Sequence, residues 1–408
     1  MSVKMRPIRK TIPMDKALRL VADAARPLER TSRVALADAT GRVLATDIIA
    51  ARDVPPFDRA AMDGYAVIAA DTFGATRQAP RQLRRVETVH TGSIPKHRLV
   101  SGECTEIATG APMPEGANAV IMVEETDHCG DEQVDIFVPV YPKQNIGRRG
   151  ADIAVGQALL EVGNLLTPSR LGAVAALGFA DIVVYDRPRV ALLSTGNEIV
   201  EPGQPLEPGQ IYDINRFTLS SVVGEHGGIA TPHPIAADSL DALGAAVDAA
   251  VNGGTDILVF SGGSSVGEKD LTLDILQEKG TVLFHGIAVK PGKPTIFGRI
   301  GSIPVFGMPG YPTSCLSNAY MLLVPLLRAM AHLPPHRMRT VTIPAAQRLV
   351  STTGRHQFYT VRIVNGEAVG AFKASGDITS MSQADGYIEV PAQTDIVDKG
   401  ELVEVKLF

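Results

Sequence analysis

The chain has 408 residues, too many for one hydrophobic core, and 45% of them are hydrophobic against 20% charged. This composition is typical of a folded protein of several domains and excludes a disordered chain. The formal net charge of -5 excludes binding to nucleic acid or anionic lipid through bulk charge, so an anionic ligand must be held by local groups.

The start of the chain and its cysteines bear on where the protein works. Met1 to Lys10 is basic without an apolar stretch behind it, and no run is long enough to span a membrane. We therefore expect a cytoplasmic protein. Cys104, Cys129 and Cys315 are widely spaced and include no CxxC pair, so a disulfide framework or structural zinc site is not expected.

The first 187 residues combine a β-rich segment with helical flanks. Asp15–Ala25 and Ser169–Leu177 have the periodicity of amphipathic helices. Between them, Asp53 to Tyr141 consists of short strand-like runs separated by glycine and proline, such as Val120–Val123 and Val134–Tyr141. We predict a discontinuous α-containing domain, residues 1–50 plus 145–187, interrupted by a β-rich insert at residues 51–144.

Strand and helix patterns alternate over residues 188–333, which predicts an α/β domain with a mainly parallel sheet covered on both faces. The predicted strands are Val190–Ser194, Ala230–Ile235, Ile257–Ser261, Leu283–Val289 and Val305–Gly307. The predicted helices are Asn215–Gly224, Ser239–Asn252, Leu271–Glu278 and Thr313–Ala331. Residues 334–408 are predicted to form a small C-terminal β domain from the strands Val341–Pro344, Gln357–Val364 and Ile388–Val390.

Ligands of open α/β sheets bind beyond the carboxyl ends of the strands, so the loops at those ends are the candidate site. The first loop is Ser194-Thr195-Gly196-Asn197-Glu198, in which Glu198 would face a metal or handle a proton. A tight turn that uses Gly196 is the alternative interpretation. Asp238 precedes a predicted helix and has the residue type of an N-cap, with a ligand as the alternative.

The second loop begins at Ser261 and carries paired glycines between a strand and a helix. Gly262 and Gly263 would let backbone N–H groups approach an anion, and the hydroxyls of Ser264 and Ser265 add donors. This pattern suits a phosphate or the edge of a pterin. A flexible glycine turn is the alternative, because the loop is neither a Walker A loop nor GxGxxG.

Three further features complete the candidate edge. Asp270 could cap the next helix, and its position also suits an oxygen ligand for Mg²⁺. Lys290 and Lys293, held in a KPGKP turn, suit phosphate or another oxyanion, with a surface turn as the alternative. The fourth loop contains Pro309 and Pro312, and Pro312 would occupy the first helical turn. Four loops with carboxylates, donors and lysines therefore predict a ligand site at this edge.

Residues 53–67, DVPPFDRAAMDGYAV, resemble the molybdopterin molybdenumtransferase family, which includes bacterial MoeA and the C-terminal domain of gephyrin. The resemblance also takes in ATGAPMP at residues 108–114, residues 145–153, the four loops and residues 373–387, and so covers nearly the whole chain. Together these motifs are specific, whereas a lone SGG or PGKP is weak. The implied activity is insertion of molybdate into adenylylated molybdopterin with Mg²⁺-dependent release of AMP.

The resemblance implies four subdomains: a linking and dimerisation domain, the insert, a MogA-like α/β domain and a barrel-like C-terminal domain. It implies a homodimer whose cleft lies between the α/β domain of one subunit and the insert of the other. The implied catalytic residues are Asp63, Thr109, Glu198, Asp238, Asp270, Lys290 and Lys293, with Glu198 and Asp270 on the metal. Those implied to bind substrate are Ser194, Thr195, Gly196, Ser261, Gly262, Gly263, Ser264, Ser265, Pro309, Pro312, Arg355 and Ser375.

Some positions depart from the family or stay ambiguous. Gly147 stands where many relatives carry arginine, so that role falls to Arg148 or is absent. Ser264 stands where many relatives have valine. Arg362 is the alternative to Arg355.

Two other functions are compatible with parts of the chain. An ATP-dependent molybdopterin adenylyltransferase would explain the α/β domain, but it leaves the insert and the C-terminal domain without a role. A gephyrin-like scaffold is the other alternative, and the chain begins at the first family segment without the extra domain and linker expected for it. Expected partners of the transferase are the molybdopterin adenylyltransferase and acceptor molybdoenzymes, with no nucleic acid and no membrane.

Overall fold

The computed structural model describes residues 8, 10–262 and 270–408. The chain divides into two compact units. The first contains Met1–Ser32, Gly41–Val43 and Tyr185–Phe408, and the second contains Arg33–Thr40 and Leu44–Val184. The predicted division into four domains is finer than these two units and stays a prediction. In the described part of the chain, no helix is long and apolar enough to cross a membrane.

The α/β part of the first unit is built on a six-stranded sheet. In spatial order the strands are Ile229–Pro232, Arg189–Ser194, Ile257–Ser261, Ile303–Met308, Ile296–Ile300 and Thr281–His285. The first four run parallel, and the last two pair antiparallel. The sheet is therefore mainly parallel, with an edge hairpin whose strand Ile296–Ile300 the sequence analysis missed.

Both faces of this sheet are covered, which explains its almost continuous apolar strands. Val190 and Leu192 pack into one core, whereas Ala191 and Leu193 pack into the core on the other face. Four helices of the first unit begin and end close to the predicted residues: Met14–Ala24, Asn215–Glu225, Leu240–Asn252 and Leu271–Lys279. The unit also contains Pro312–Asn318, Val324–Met330 and the short Thr379–Ser382, which was not predicted.

The predicted single helix Thr313–Ala331 is wrong in one respect. A π-helical turn, Ala319–Leu323, separates its two α-helical segments. Pro325 accounts for a distortion here, because proline has no N–H and its ring collides with the carbonyl four residues earlier in a regular α-helix.

The predicted strand Leu283–Val289 is also wrong, since it is two strands in two different sheets. Thr281–His285 belongs to the α/β sheet, whereas Val289–Lys290 pairs in parallel with the start of His356–Val364 in the C-terminal sheet. The chain leaves the first sheet at Gly286, whose N–H donates to the carbonyl of Thr295 at 2.9 Å. The two lysines are therefore carried on the side of the C-terminal β domain.

The C-terminal β domain contains the three predicted strands. Its strand order is Val289–Lys290, His356–Val364, Gly386–Val390, Leu402–Leu407 and Thr340–Pro344, and Glu367–Gly370 pairs with His356–Val364. A bridge between Ala345 and Ala368 brings the two ends of this sheet together. Leu349–Val350 and Ile396–Val397 form a separate pair.

The second unit contains the predicted β-rich insert. Its six strands lie in the order Ala119–Met122, Gly64–Val67, Glu103–Ile107, Arg81–Val89, Gln133–Ile136 and Thr126–His128. The predicted strand Val134–Tyr141 is shorter than expected, because it ends at Ile136. Around this sheet lie two strand pairs, Arg59–Ala60 with Ile146–Gly147 and Ile48–Ile49 with Ala158–Leu160, and the helix Pro168–Ala176.

Candidate functional site

The first two predicted loops contact each other at the carboxyl edge of the α/β sheet. Ser194 and Ser261 lie side by side on parallel strands, and their hydroxyls form a hydrogen bond of 3.2 Å. Both are buried, with 3% and 6% of their surface exposed. Gly262 has a φ of +96°, and a Cβ atom there would collide with the carbonyl oxygen of Thr195. Glycine is therefore required for the close approach of the two loops.

Glu198 belongs to the first loop, and Asp238 contacts this loop from the segment that follows the strand Ile229–Pro232. Glu198 is exposed, and its carboxylate folds back so that a Cβ on Gly196 would lie 2.8 Å from Oε2. The N-cap interpretation of Asp238 is wrong, because Ser239 caps the helix by accepting from the N–H of Ala242. Asp238 instead accepts a 3.3 Å hydrogen bond from the hydroxyl of Thr195. Adjacent Asp and Ser are both common cap residues, which explains the error.

Asp270 is the N-cap of the helix Leu271–Lys279 and is only 4% exposed. Its Oδ1 accepts from the N–H of Leu273 at 3.1 Å, and Oδ2 lies 3.3 Å from Nε2 of His285. The remaining second-loop positions, Gly263, Ser264 and Ser265, lie outside the described residues. Within the described ranges, no group of three or more histidine, cysteine or acidic residues is arranged to hold a metal ion.

Lys290 and Lys293 are half-buried and face neutral oxygens. Nζ of Lys290 donates to the hydroxyl of Thr352 at 2.8 Å, and Nζ of Lys293 donates to the carbonyl of Ile8 at 3.1 Å. Neither lysine forms an ion pair with any acidic residue that the structure describes. Arg355 belongs to the turn that Thr352 begins, since its N–H donates to the carbonyl of Thr352.

The fourth loop is fixed from two sides. Pro309 is buried, and Pro312 is the first residue of its helix, as predicted. The N–H of Thr313 donates to the carbonyl of Ser375 at 3.2 Å, and its hydroxyl donates to the carbonyl of Asp377 at 3.0 Å. Ser375 therefore lies against the fourth loop.

Two buried polar residues at this edge were missed by sequence analysis. Asn215 donates from Nδ2 to the carbonyl of Gly310 at 2.9 Å. Asp213 is 3% exposed, and its Oδ1 accepts from the N–H of Arg216 at 3.0 Å. Two polar residues next to each other at the start of the helix Asn215–Glu225 were the available signal.

In the second unit, Asp63 and Thr109 are brought together. Oδ1 of Asp63 accepts a 2.7 Å hydrogen bond from the N–H of Thr109. This bond, with a further one from the Thr109 hydroxyl, lowers the pKa of the Asp63 carboxyl below its ordinary value. Their loops are held by backbone bonds between Ala60 and both Gly110 and Ala111.

Residues 145–150 lie beside the segment that leads to Asp63. Gly147 pairs with Arg59, and the guanidinium of Arg149 binds Asp53 at 2.6 Å. Arg148 is exposed and, among the described residues, its side chain has no hydrogen-bond or ion-pair partner. Arg148 is thus the free cation of this stretch.

Three family models match successive parts of the chain. Residues 12–178 match the MoeA N-terminal region, domains I and II. Residues 191–329 match a model described as a probable molybdopterin binding domain, and residues 342–408 match the MoeA C-terminal region, domain IV.

Known proteins are similar over nearly the whole length. Molybdopterin molybdenumtransferase 2 of Mycobacterium tuberculosis is 35% identical, with 95% of this chain and 97% of that protein covered. Molybdopterin molybdenumtransferase of Haemophilus influenzae is 34% identical, with 93% and 94% covered. A solved structure of a Pyrococcus horikoshii molybdopterin biosynthesis MoeA protein has a TM-score of 0.83 at 32% identity, covering 98% of this chain and 100% of that one.

Proposed function

The chain belongs to the MoeA family of molybdopterin molybdenumtransferases, and we propose the roles that its residues have in the insertion of molybdenum into molybdopterin. The protein is a transferase of molybdenum cofactor biosynthesis, and its substrates are molybdopterin and molybdate. We propose that the pterin enters as adenylylated molybdopterin, that AMP leaves, and that the reaction takes place in the cytoplasm.

The main support for this proposal comes from residues 290–293, the lysine turn. Half-buried ammonium groups are costly without a counter-charge, and Lys290 and Lys293 have only neutral oxygens as partners among the described residues. An oxyanion would supply the missing negative charge. Lys290 and Lys293 therefore bind molybdate, or the phosphate that molybdate attacks.

The donor chemistry around Asp270 fits Mg²⁺. This ion prefers oxygen ligands and usually needs only one or two protein carboxylates, with water and phosphate completing its shell. Glu198 is exposed, so its carboxylate is accessible. Each oxygen of Asp270 faces one protein partner, Leu273 or His285, and keeps a second lone pair that could bind an ion. Glu198 and Asp270 would hold the ion, and bound Mg²⁺ would neutralise phosphoanhydride oxygens.

The neighbouring loops orient the substrate. Ser194, Thr195 and Gly196, with the loop that starts at Ser261 and Gly262, hold the pterin or its terminal phosphate. The same role extends to Gly263, Ser264 and Ser265, while Asp238 positions the hydroxyl of Thr195. Pro309 and Pro312 keep the fourth loop rigid, and Ser375 and Arg355 close the site from the C-terminal domain.

In the proposed reaction, an oxygen of molybdate or water attacks phosphorus in the phosphoanhydride between pterin and AMP. The P–O bond to AMP breaks as the new P–O bond forms. If water attacks, one oxygen of molybdate leaves as water with the two thiol protons as the molybdenum joins the two dithiolene sulfurs. If molybdate attacks, the attacking oxygen stays on the pterin phosphate, its Mo–O bond breaks as the Mo–S bonds form, and the two thiol protons pass to solvent. The lysines neutralise negative charge as the leaving phosphate develops it. No protein nucleophile is needed.

The insert contributes through a homodimer in which Asp63 and Thr109 reach the cleft of the partner subunit. Two exposed apolar side chains in the segment 57–63 support this assembly: Phe57 is 42% and Met62 is 46% exposed. Aromatic residues and methionine are enriched in surfaces that pack against another chain. The molybdopterin adenylyltransferase and the acceptor molybdoenzymes are the proposed partners before and after the reaction.

AMP formation from adenylylated molybdopterin and molybdate, with Mg²⁺ and without ATP, tests the proposal. Release of AMP that depends on molybdate is expected, with molybdenum recovered on the pterin. An activity that consumes ATP and releases pyrophosphate would instead make the protein an adenylyltransferase. The curated relatives do not favour that alternative or a scaffold, since they are named as molybdenumtransferases.

A further inference from the structure

Asn318 lies beneath the lysine turn, at the last position of the helix that begins with Pro312. It is completely buried, and its side chain is aimed at Gly292, between the two lysines. Nδ2 donates to the carbonyl of Gly292 at 3.0 Å and also to the hydroxyl of Thr295. The helix thus contacts the backbone of the lysine turn through a single amide group.

The turn is shaped to receive this amide. Gly292 has a φ of +106°, and a Cβ atom there would collide with the side chain of Asn318. Its carbonyl accepts two further bonds from Thr295, at 2.8 Å from the hydroxyl and 3.3 Å from the N–H. One carbonyl oxygen therefore has three donors around it, and its residue lies between Lys290 and Lys293 in the sequence.

A packing role alone does not explain asparagine at this position. Cys315 in the same helix, and Ala319 and Leu322 in the π-helical turn that follows, are fully buried and belong to the apolar core. Oδ1 of Asn318 is buried and accepts no hydrogen bond from the residues that the structure describes. An unpaired buried acceptor opposes folding. Asparagine at this position is therefore explained by the N–H donor that its amide supplies to the lysine turn.

The helix of Asn318 also organises other parts of the site. At its start, Pro312 and Thr313 carry the fourth loop and bind the segment that contains Ser375. Asn318 at its end holds the lysine turn, immediately before the π-helical turn Ala319–Leu323. π-Turns within helices are frequent at functional sites, where they redirect side chains.

We propose that Asn318 is a positioning residue for molybdate binding, which acts by fixing the carbonyl of Gly292 and so the spacing of Lys290 and Lys293. This inference rests on the proposed role of the lysines as the oxyanion site. Asn318 does not touch the substrate. Its loss would leave both charges present but free to separate, so molybdate would bind less tightly while the later chemistry continued.

The test compares Asn318→Ala and the isosteric Asn318→Asp with Ser317→Ala as the matched control. Ser317 is equally buried in the same helix, and its hydroxyl donates to the carbonyl of Ser314, away from the lysine turn. Rates of AMP formation are measured against molybdate concentration, with thermal unfolding recorded for each variant. The Asn318 variants are expected to raise the KM for molybdate about tenfold and to change kcat less than about twofold. Ser317→Ala should lower the melting temperature but leave this KM unchanged.

A double-mutant cycle with Lys293→Ala gives the decisive readout. If Asn318 acts through the lysine turn, the two substitutions together should raise the KM little more than Lys293→Ala alone. Additive effects, an unchanged KM in a folded Asn318 variant, or an equal rise in Ser317→Ala would each overturn the proposal. If Asn318→Ala does not fold, Asn318→Asp and Thr295→Val, which removes the other side-chain donor to Gly292, decide in its place. An unchanged molybdate KM in Lys293→Ala itself would instead refute the proposed function of the lysines.

Discussion

The two aspartates assigned to the site by family resemblance, Asp270 and Asp63, lie in opposite environments. Asp270 is 4% exposed at the edge of the α/β sheet, where its oxygens face the helix N–H of Leu273 and the ring of His285. Asp63 is exposed on the insert, where a backbone N–H of Thr109 holds one of its oxygens.

These two environments suit the carboxylates of Asp270 and Asp63 to different roles. A buried carboxylate must have its partners fixed by the fold, so Asp270 is held in one orientation by the N–H of Leu273 and the ring of His285. At Asp63 the pKa is lowered by hydrogen bonds and the group remains accessible, so this carboxylate is ionised and can be presented to another molecule. We therefore expect the α/β edge to bind and activate substrate, and the insert to complete the cleft of a partner subunit.

Asp270→Asn is expected to have the largest effect. Asparagine keeps the size of the side chain and is also a good helix N-cap, so the helix Leu271–Lys279 should persist. Only the negative charge is lost. We expect AMP release to fall by at least about 100-fold, as when one preorganised electrostatic group is removed from an active site. Initial rates with adenylylated molybdopterin, molybdate and Mg²⁺ measure the effect.

Asp241→Asn is the matched control, because Asp241 is an exposed acidic residue in the first turn of another helix. It should retain normal turnover. Near-normal turnover of a folded Asp270→Asn variant would mean that Asp270 acts only as a helix cap. Its negative charge would then have no part in the reaction.

The lysine turn should give the next largest effect. Lys290→Ala and Lys293→Ala are each expected to raise the molybdate concentration for half-maximal rate about tenfold, equivalent to ~1.4 kcal/mol of binding energy. Lys279→Ala serves as the control, since Lys279 pairs with Asp248 away from the candidate loops. If neither variant of the turn changes the molybdate dependence, the oxyanion binds outside the lysine turn.

Subunit mixing tests whether the two aspartates act in one cleft. In a two-fold dimer each cleft would take Asp270 from one chain and Asp63 from the other. Homodimers of Asp63→Asn and of Asp270→Asn should both be inactive, whereas a mixed dimer has one cleft with both aspartates intact. Random exchange makes about half the dimers mixed, so activity should return to about a quarter of wild type.

Tagged chains verify that exchange has occurred. Absence of recovery after verified exchange would mean that each cleft is built within one subunit. The insert would then complete the cleft of its own chain and not that of a partner subunit.

Local patterns were sufficient to predict much of the sheet edge. Ile257–Ser261 was predicted with its observed bounds, because a buried parallel strand is a continuous apolar run with a clear end. Parallel neighbours end at the same edge, which also made the contact between Ser194 and Ser261 predictable.

Long-range pairing limited the rest. The sequence around Val289–Lys290 gives no sign that this segment joins a strand beginning at His356, so the lysines were placed on the wrong sheet. The contact of Asn318 with Gly292 likewise joins residues far apart in the chain. Asp63 and Thr109 could be proposed only through resemblance, because exposed polar residues in loops carry no distinctive pattern.

The smallest effect is expected at Gly147, where the family resemblance implies an arginine. A Cβ atom at this position would lie 3.4 Å from Cγ of Arg59, a flexible side chain that can move by the small amount required. Beside it, the exposed guanidinium of Arg148 has no partner among the residues that the structure describes. We therefore expect Gly147→Arg to change kcat/KM for adenylylated molybdopterin by no more than about twofold, as for most surface substitutions, with Gly147→Ala as the control for steric effects. A gain of tenfold or more in Gly147→Arg alone would mean that Arg148 does not supply the family's cation. The insert would then supply a positive charge that binds the substrate. Its role would be closer to that of the α/β edge than the environments of Asp63 and Asp270 suggest.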